Sequence, residues 1–276
     1  MNQPEATLQP PAAKPRREWE RLTPKQRWSR YLLLFSAACA IAYSIRNIEI
    51  IPEFLYDAPT QVADLFQRMW PIDFAYYPTG IHDALVDTLH IATMGTMLSI
   101  IFSLPVGLLV AKNITKNKLL NWLGLFILVS SRSVSVLVWA LLFVAIFGPG
   151  PLAGTITIAV RSIGFVGKLF GEALEECPPG TIEALKASGA PWLSIFLKGY
   201  WPHVLPAYWA IALFRWDINI RESSVIGLVG AGGIGMALEK AQSTFQWTQV
   251  SLILVCIFAL VIICELIVTY IRKRII

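Results

Sequence analysis

Charge is scarce in this sequence. Asp, Glu, Lys and Arg make up 15% of its 276 residues against 55% hydrophobic ones, and the mean hydropathy is +0.59. That balance excludes a soluble domain of ordinary composition. The signatures of catalysis are missing too. No GxxxxGK[ST] occurs, the run from Gly164 to Lys168 imitating only part of it, so the chain cannot be its own ATPase. The lack of HExxH, of a GxSxG elbow and of paired carboxylates leaves a membrane-embedded hydrolase without support. Histidine is limited to His82, His90 and His203, all near the ends of apolar runs, where an interfacial histidine is the ordinary outcome. Cys39, Cys177, Cys256 and Cys264 form no CxxC, and three of them lie inside apolar runs; they read as reduced packing residues rather than a disulfide framework or a metal site.

What is present is a series of apolar runs with basic ends. The net charge of +5 and pI near 9.1 could suggest nucleic acid, but the Lys and Arg residues cluster at run ends rather than along one face. Membrane orientation accounts for them, and a nucleic-acid partner is not expected. Residues 1–27 are rich in Pro, Ala, Lys and Arg and read as a cytoplasmic tail without a cleavable signal. Residues 28–83 hold a first span, about Trp28 to Ile45, then an acidic segment on the outer face with Trp70-Pro71 and Tyr76-Tyr77-Pro78. Residues 84–276 form the remaining bundle. Its spans are expected over about Ala84 to Ala111 with Pro105 inside, Leu119 to Phe147 as one long or broken helix interrupted near Ser130 to Ser133, Leu152 to Phe170, His203 to Leu228, and Trp247 to Ile271. Six spans with both termini in the cytoplasm make every basic flank agree, Lys112, Lys116, Lys118 and Arg272-Lys273-Arg274 included. The fold expected is an all-α polytopic membrane protein.

The fifth span is the costly one. Arg215, Asp217, Arg221 and Glu222 all lie in it, and about 2.5 to 3.5 kcal/mol for each charge at a helix centre sums to about 12 kcal/mol. Such a helix must be buried in protein or line a wet path. At about 100° per residue, Arg215, Asn219 and Glu222 share one face, while Asp217 and Arg221 lie nearly opposite and can pair four residues apart. Arg132 and Arg161 add two more guanidinium groups in or near spans, and these are the usual binders of phosphate-like oxyanions. Each arginine could equally be salt-bridged within the fold.

Between two apolar runs lies EALEECPPGTIEALKASGAPWLSIFLKGYWPHVLP, Glu172 to Pro206. Pro178-Pro179-Gly180 is expected to stop the preceding helix, Thr181 to cap a short one over about Ile182 to Ser188, and Gly189 to end it. A second helix is expected from Pro191 toward Trp201-Pro202. A compact helical hairpin of this kind is either a docking element or a rigid connector.

Its residues resemble the EAA loop of the membrane subunits of ABC importers: EAA, three residues, G, nine residues, I, one residue, LP. Glu183, Ala184, Gly189 and Pro202 fall on the pattern; Leu185, Gly199 and Trp201 depart from it. Leu213 to Gly235 and the stretch around Glu175 to Ala190 are similar to the permeases of phosphonate importers, the similarity covering about residues 85 to 276. Gly230, Gly232 and Gly235 satisfy GxGxxG, but they follow a membrane helix and sit in no βαβ unit, so a dinucleotide site is not expected. They read as a flexible turn or a close helix contact, and resemble the glycine-rich turn after the fifth span in methionine and phosphonate permeases.

The resemblance implies a type I importer core like that of the methionine permease, in a bacterial inner membrane. It implies a homodimer working with cytoplasmic ABC ATPases and one extracytoplasmic solute-binding protein. The chain itself would bind no cofactor, ATP and Mg sitting on the partner ATPase. Glu183, Ala184, Gly189 and Pro202, in the coupling loop 172–202, would couple to that ATPase. Arg132, Arg161, Arg215, Asn219, Arg221 and Glu222 are the candidates for the substrate pathway. Phosphonate, phosphite or phosphate is the expected cargo, with methionine as an alternative of the same class. An ion-gradient-driven secondary transporter using Asp217 or Glu222 is the alternative of another class, although such folds commonly hold an internal repeat and none is visible.

Overall fold

The computed structural model describes residues 24–47 and 52–275, and among them every regular element is helical. Two compact units divide the chain, Met1–Thr60 and Gln61–Ile276. Helix α1 (Pro24–Asn47) is 24 residues long, enough to cross a bilayer, and takes in the last four residues of the expected tail, the rest of which lies outside the described residues. Helix α2 (Pro52–Met69) is amphipathic: Phe54, Leu55, Val62, Leu65, Phe66 and Met69 share one side, and Glu53, Asp57, Asp64 and Arg68 the other.

The larger unit starts its bundle with a 3-10 turn and a π turn that lead into α3 (His82–Val110). After α4 (Lys118–Ser133) the chain bends by 94° at Val134 and Ser135 before α5 (Val136–Phe147). The interruption expected near Ser130 to Ser133 is a sharp break just after Ser133, so of the two expected forms, one long helix or a broken one, the helix is broken. Helix α6 (Pro151–Glu175) follows the turn at Gly148 and Gly150, and α7 (Pro179–Ala187) and α8 (Trp192–Ile195) make up the polar loop. A π turn at Phe196–Tyr200 joins α8 to α9 (Trp201–Ile226), which leads through a 3-10 turn at Gly227–Val229 to α10 (Ile234–Ser243) and α11 (Trp247–Ile275). Among the described residues five helical stretches are long and apolar enough to span a membrane, and six if the bent pair α4 and α5 counts as one.

Small residues set the central contact. Helices α3 and α6 pack along their lengths, and α9 lies across both. A Cβ at Gly107 would meet the Phe170 ring at 2.4 Å, and one at Gly95 would meet Ile158 at 2.7 Å, so backbone approach on α3 depends on glycine there. On the same face of α3, Thr88, Thr96, Ser99 and Ser103 are buried with their hydroxyls bonded to carbonyls of the preceding turn. This satisfies them without water, which a bilayer-embedded helix cannot supply.

Two cores close the ends of this bundle. One joins Val166, Phe170 and Leu174 of α6 to Ile182, Ile195, Tyr200 and Tyr208 of the loop and α9, with Phe170 and Tyr208 ring centroids 4.8 Å apart. The other joins Ile81 to Ile234, Leu238 and Ala241 of α10 and to Val250, Leu252 and Ile253 of α11. The glycine-rich turn lies at this second end. A Cβ at Gly154 would stand 2.2 Å from the Ala231 carbonyl oxygen, and one at Gly235 would stand 2.2 Å from that of Ser224. Ile234 N donates to Thr88 Oγ1 at 2.8 Å, and Gly150 N to the Gly230 carbonyl at 2.9 Å. GxGxxG here makes close helix contact.

Candidate functional site

The polar loop is anchored on one side and open on the other. Ile182 of α7 and Ile195 of α8 are buried in the core that holds Phe170 and Leu174, while Glu183, Ala184 and Gly189 are exposed. Helix α7 begins three residues earlier than the sequence suggested. Pro178, extended at φ −58° and ψ 125°, is its N-cap, and Pro179 starts it, so Thr181 lies inside the helix and caps nothing. The reason is that proline fits the first helical turn, where its missing N–H has no partner to lose. Gly189 ends the helix at φ +74°, with its N–H on the Lys186 carbonyl and that of Ala190 on the Leu185 carbonyl. The second helix does not stop at Pro202. That residue sits in the first turn of α9, so the loop continues through one π turn into the charged helix. Motion of α7 is thereby tied to α6 by burial and to α9 by covalent continuity.

Helix α9 presents its charges to α6 and α3. Arg215 Nη2 lies 2.9 Å from Glu222 Oε2, and Arg161 Nε of α6 lies 3.2 Å from the other oxygen of the same carboxylate. Arg215 Nε donates to Ser162 Oγ at 2.9 Å, Ser162 Oγ donates to Asn219 Oδ1 at 3.1 Å, and Asn219 Nδ2 donates to Thr96 Oγ1 at 2.7 Å. The Arg215 guanidinium also stands 5.5 Å from the centre of the Phe165 ring. One continuous polar chain thus links α9, α6 and α3, with Arg215 and Asn219 buried and Arg161 and Glu222 partly open. On the opposite side of α9, Arg221 donates to Asp217 four residues earlier; Asp217 is buried and the arginine is exposed.

Arg132 stands apart. It closes α4 beside the 94° bend, exposed, in the wall of a cleft of about 540 Å³ formed by α3, α4 and α6. Lys168 and Glu172 of the same cleft pair at 3.5 Å, and Glu175 accepts from the Lys112 N–H at 2.8 Å. Among the described residues no group of three His, Cys, Asp or Glu side chains is placed to hold a metal, and the four cysteines are free.

Sequence reasoning missed two partners in this network, Ser162 and Thr96. The hydroxyl residues recur at helical spacing along α3, and that periodicity was the available signal. Glu265 lies exposed on α11 inside the last apolar run, with no ion pair among the described residues.

A bundle of helices long and apolar enough to span a membrane thus holds a buried ionic network and carries an anchored helical loop. Residues 103–276 match the family described as binding-protein-dependent transport system inner membrane component. A phosphite transport system permease protein of Stutzerimonas stutzeri is 35% identical over 213 residues, which is 77% of each chain. A phosphate-import permease protein of Mycolicibacterium smegmatis is 32% identical over 239 residues, 87% of this chain but 44% of the longer relative. Among solved structures, an inward-facing methionine ABC transporter aligns with a TM-score of 0.60 at 23% identity, covering 71% of this chain and 96% of the other. The chain belongs to the binding-protein-dependent transport permease family. It has the fold of the permease in that methionine transporter.

Proposed function

We propose that this chain is the membrane-spanning permease subunit of an ATP-driven importer for phosphonate or a related oxyanion such as phosphite or phosphate. Two copies form the translocation path across a bacterial inner membrane, with both termini in the cytoplasm. Two ATPase subunits, carrying ATP and Mg, dock on the polar loop, and one solute-binding protein delivers cargo from outside. The observation that carries the reading is the 35% identity, over most of both chains, to a phosphite permease. The likeness to the methionine transporter is one of fold.

Mechanistically, closure of the ATPases on ATP pushes the exposed face of α7 around Glu183. Ile182 transmits that displacement to α6 through the shared core with Phe170 and Leu174, and α8 transmits it to α9. The network of Arg161, Ser162, Arg215, Asn219 and Glu222 makes α6 and α9 move as one body, because separating them would strand buried charges. The two permease halves then rock between inward-open and outward-open states.

ATP hydrolysis by the reconstituted complex tests the reading. Binding protein loaded with a phosphonate is expected to stimulate it, and methionine is expected to have no effect. Stimulation by methionine alone would refute the oxyanion reading.

A further inference from the structure

The arginines of the spans divide into two kinds. Arg161 and Arg215 share Glu222, and Arg221 has Asp217. Arg132 alone of these four has no carboxylate within ion-pair distance among the described residues, since the acids of its cleft are engaged by Lys168 and by the Lys112 N–H. Its position is nevertheless fixed. Ser131 Oγ donates to the Val160 carbonyl at 2.5 Å and reaches that of Arg161 at 3.1 Å, which staples the end of α4 to α6. The stem of Arg132 lies over Gly164, where a Cβ would come within 2.8 Å of its Cγ. The neighbouring Arg161 is engaged by Glu222 only through Nε. The cleft that Arg132 lines holds three cations, Lys112, Arg132 and Lys168, against two carboxylates, Glu172 and Glu175. A positive excess held beside a break in a membrane span calls for an anion, and a tetrahedral oxyanion matches the paired donors of a guanidinium.

We infer that Arg132 is the pathway contact for the oxyanion, holding the phosphate-type group at the bend between α4 and α5, while Arg215 and Arg221 serve the scaffold. The inference rests on the oxyanion-import reading given above. The cleft beside Arg132, walled by Leu125, Leu128 and Lys168, is the exit volume on the loop side. An anionic lipid headgroup carries the same chemistry, and the experiment separates the two sources.

The test is uptake of methylphosphonate by the whole complex in proteoliposomes, alongside its ATP hydrolysis, for wild type, Arg132→Gln and Arg132→Lys. Arg132→Gln is expected to lower uptake about tenfold or more while hydrolysis stimulated by loaded binding protein stays unchanged, so transport per ATP falls. Arg132→Lys, keeping charge without the planar fork, is expected to recover part of it. The inference is overturned if Arg132→Gln transports at the wild-type rate. It is overturned as well if uptake and hydrolysis fall together, the mark of a structural or coupling role. A defect seen only in vesicles containing phosphatidylglycerol, and absent in purely zwitterionic ones, assigns the residue to a lipid headgroup instead. A wild type that moves no phosphonate, phosphite or phosphate refutes the functional reading and removes the ligand of Arg132 with it, whereas a transporting wild type with an equal Arg132→Gln refutes Arg132 alone.

Discussion

Leu185 lies directly over Gly199: a Cβ built on the glycine would stand 3.1 Å from Leu185 Cδ1. These are two of the three positions at which the loop departs from the EAA pattern, which has a small residue at the first and a large one at the second. The large and small side chains have changed places, and α7 still packs against the turn before α9. Restoring the pattern at one position alone is expected to be harmful. Gly199→Ile would overfill the contact and Leu185→Ala would leave it loose, while the double substitution should recover. A coupling of about 1 to 3 kcal/mol in a double-mutant cycle, read from thermal unfolding of the detergent-solubilised chain, is the expected result. Additive losses would mean that the two side chains do not share a contact.

The ionic network should show the asymmetry between buried and open pairs. Glu222→Gln leaves Arg161 and Arg215 without a counter-charge, Arg215 with its side chain only 5% exposed, and is expected to cost about 3 to 5 kcal/mol of stability. Asp217→Asn breaks the other pair but strands only Arg221, whose side chain is 46% exposed, and should cost about 1 kcal/mol or less. Melting of the two purified variants side by side checks this. Equal losses would contradict the assignment of Glu222 to the scaffold.

The charged face of the fifth span was legible from sequence because 3.6-residue periodicity places Arg215, Asn219 and Glu222 together without knowledge of any other helix. Their partners were not, since Ser162 and Thr96 come from α6 and α3, and pairing across helices leaves no local signature. Helix α10 was missed for a different reason. Ile234, Leu238 and Ala241 recur at helical spacing, but the glycines before them dominate the reading of that stretch. The bend after Ser133 is also tertiary in origin: Ser131 is held to α6, and α5, at 94° to α4, packs on α6 and α9. Helix α6 does end before Pro178 and Pro179, but the same prolines also start α7, and placing the cap at Thr181 shifted that boundary.

Glycine contacts give a sharp pair of predictions. Gly154→Ala would force a methyl group to within 2.2 Å of a backbone carbonyl, and is expected to abolish recovery of folded protein. Gly180→Ala, with nothing within 4 Å of its Cβ and no positive φ, should be neutral or slightly stabilising. Yield and melting temperature of the two variants decide the matter, and a stable Gly154→Ala would contradict the close contact between α6 and the glycine-rich turn.

Cys177 reports on which side the loop faces. Partial burial lifts its thiol above the ordinary range, so a smaller share is thiolate at neutral pH. Maleimide labelling is expected to be slow near pH 7 and still accelerating between about pH 8 and 9. In sealed inside-out vesicles it should proceed with a membrane-impermeant reagent, and in right-side-out vesicles it should not. The reverse pattern would place the loop outside.

Glu183 carries the central claim, because it is exposed on α7 while its neighbour Ile182 is buried in the core shared with α6. The direct measurement is ATP-dependent uptake of labelled methylphosphonate into proteoliposomes by wild type and Glu183→Ala, with phosphite, phosphate and methionine as competitors. The account predicts wild-type uptake displaced by phosphite or phosphate but not by methionine, and uptake lost in Glu183→Ala with an unchanged melting temperature. Wild-type uptake driven by an ion gradient without ATP, or undiminished uptake by Glu183→Ala, would contradict it.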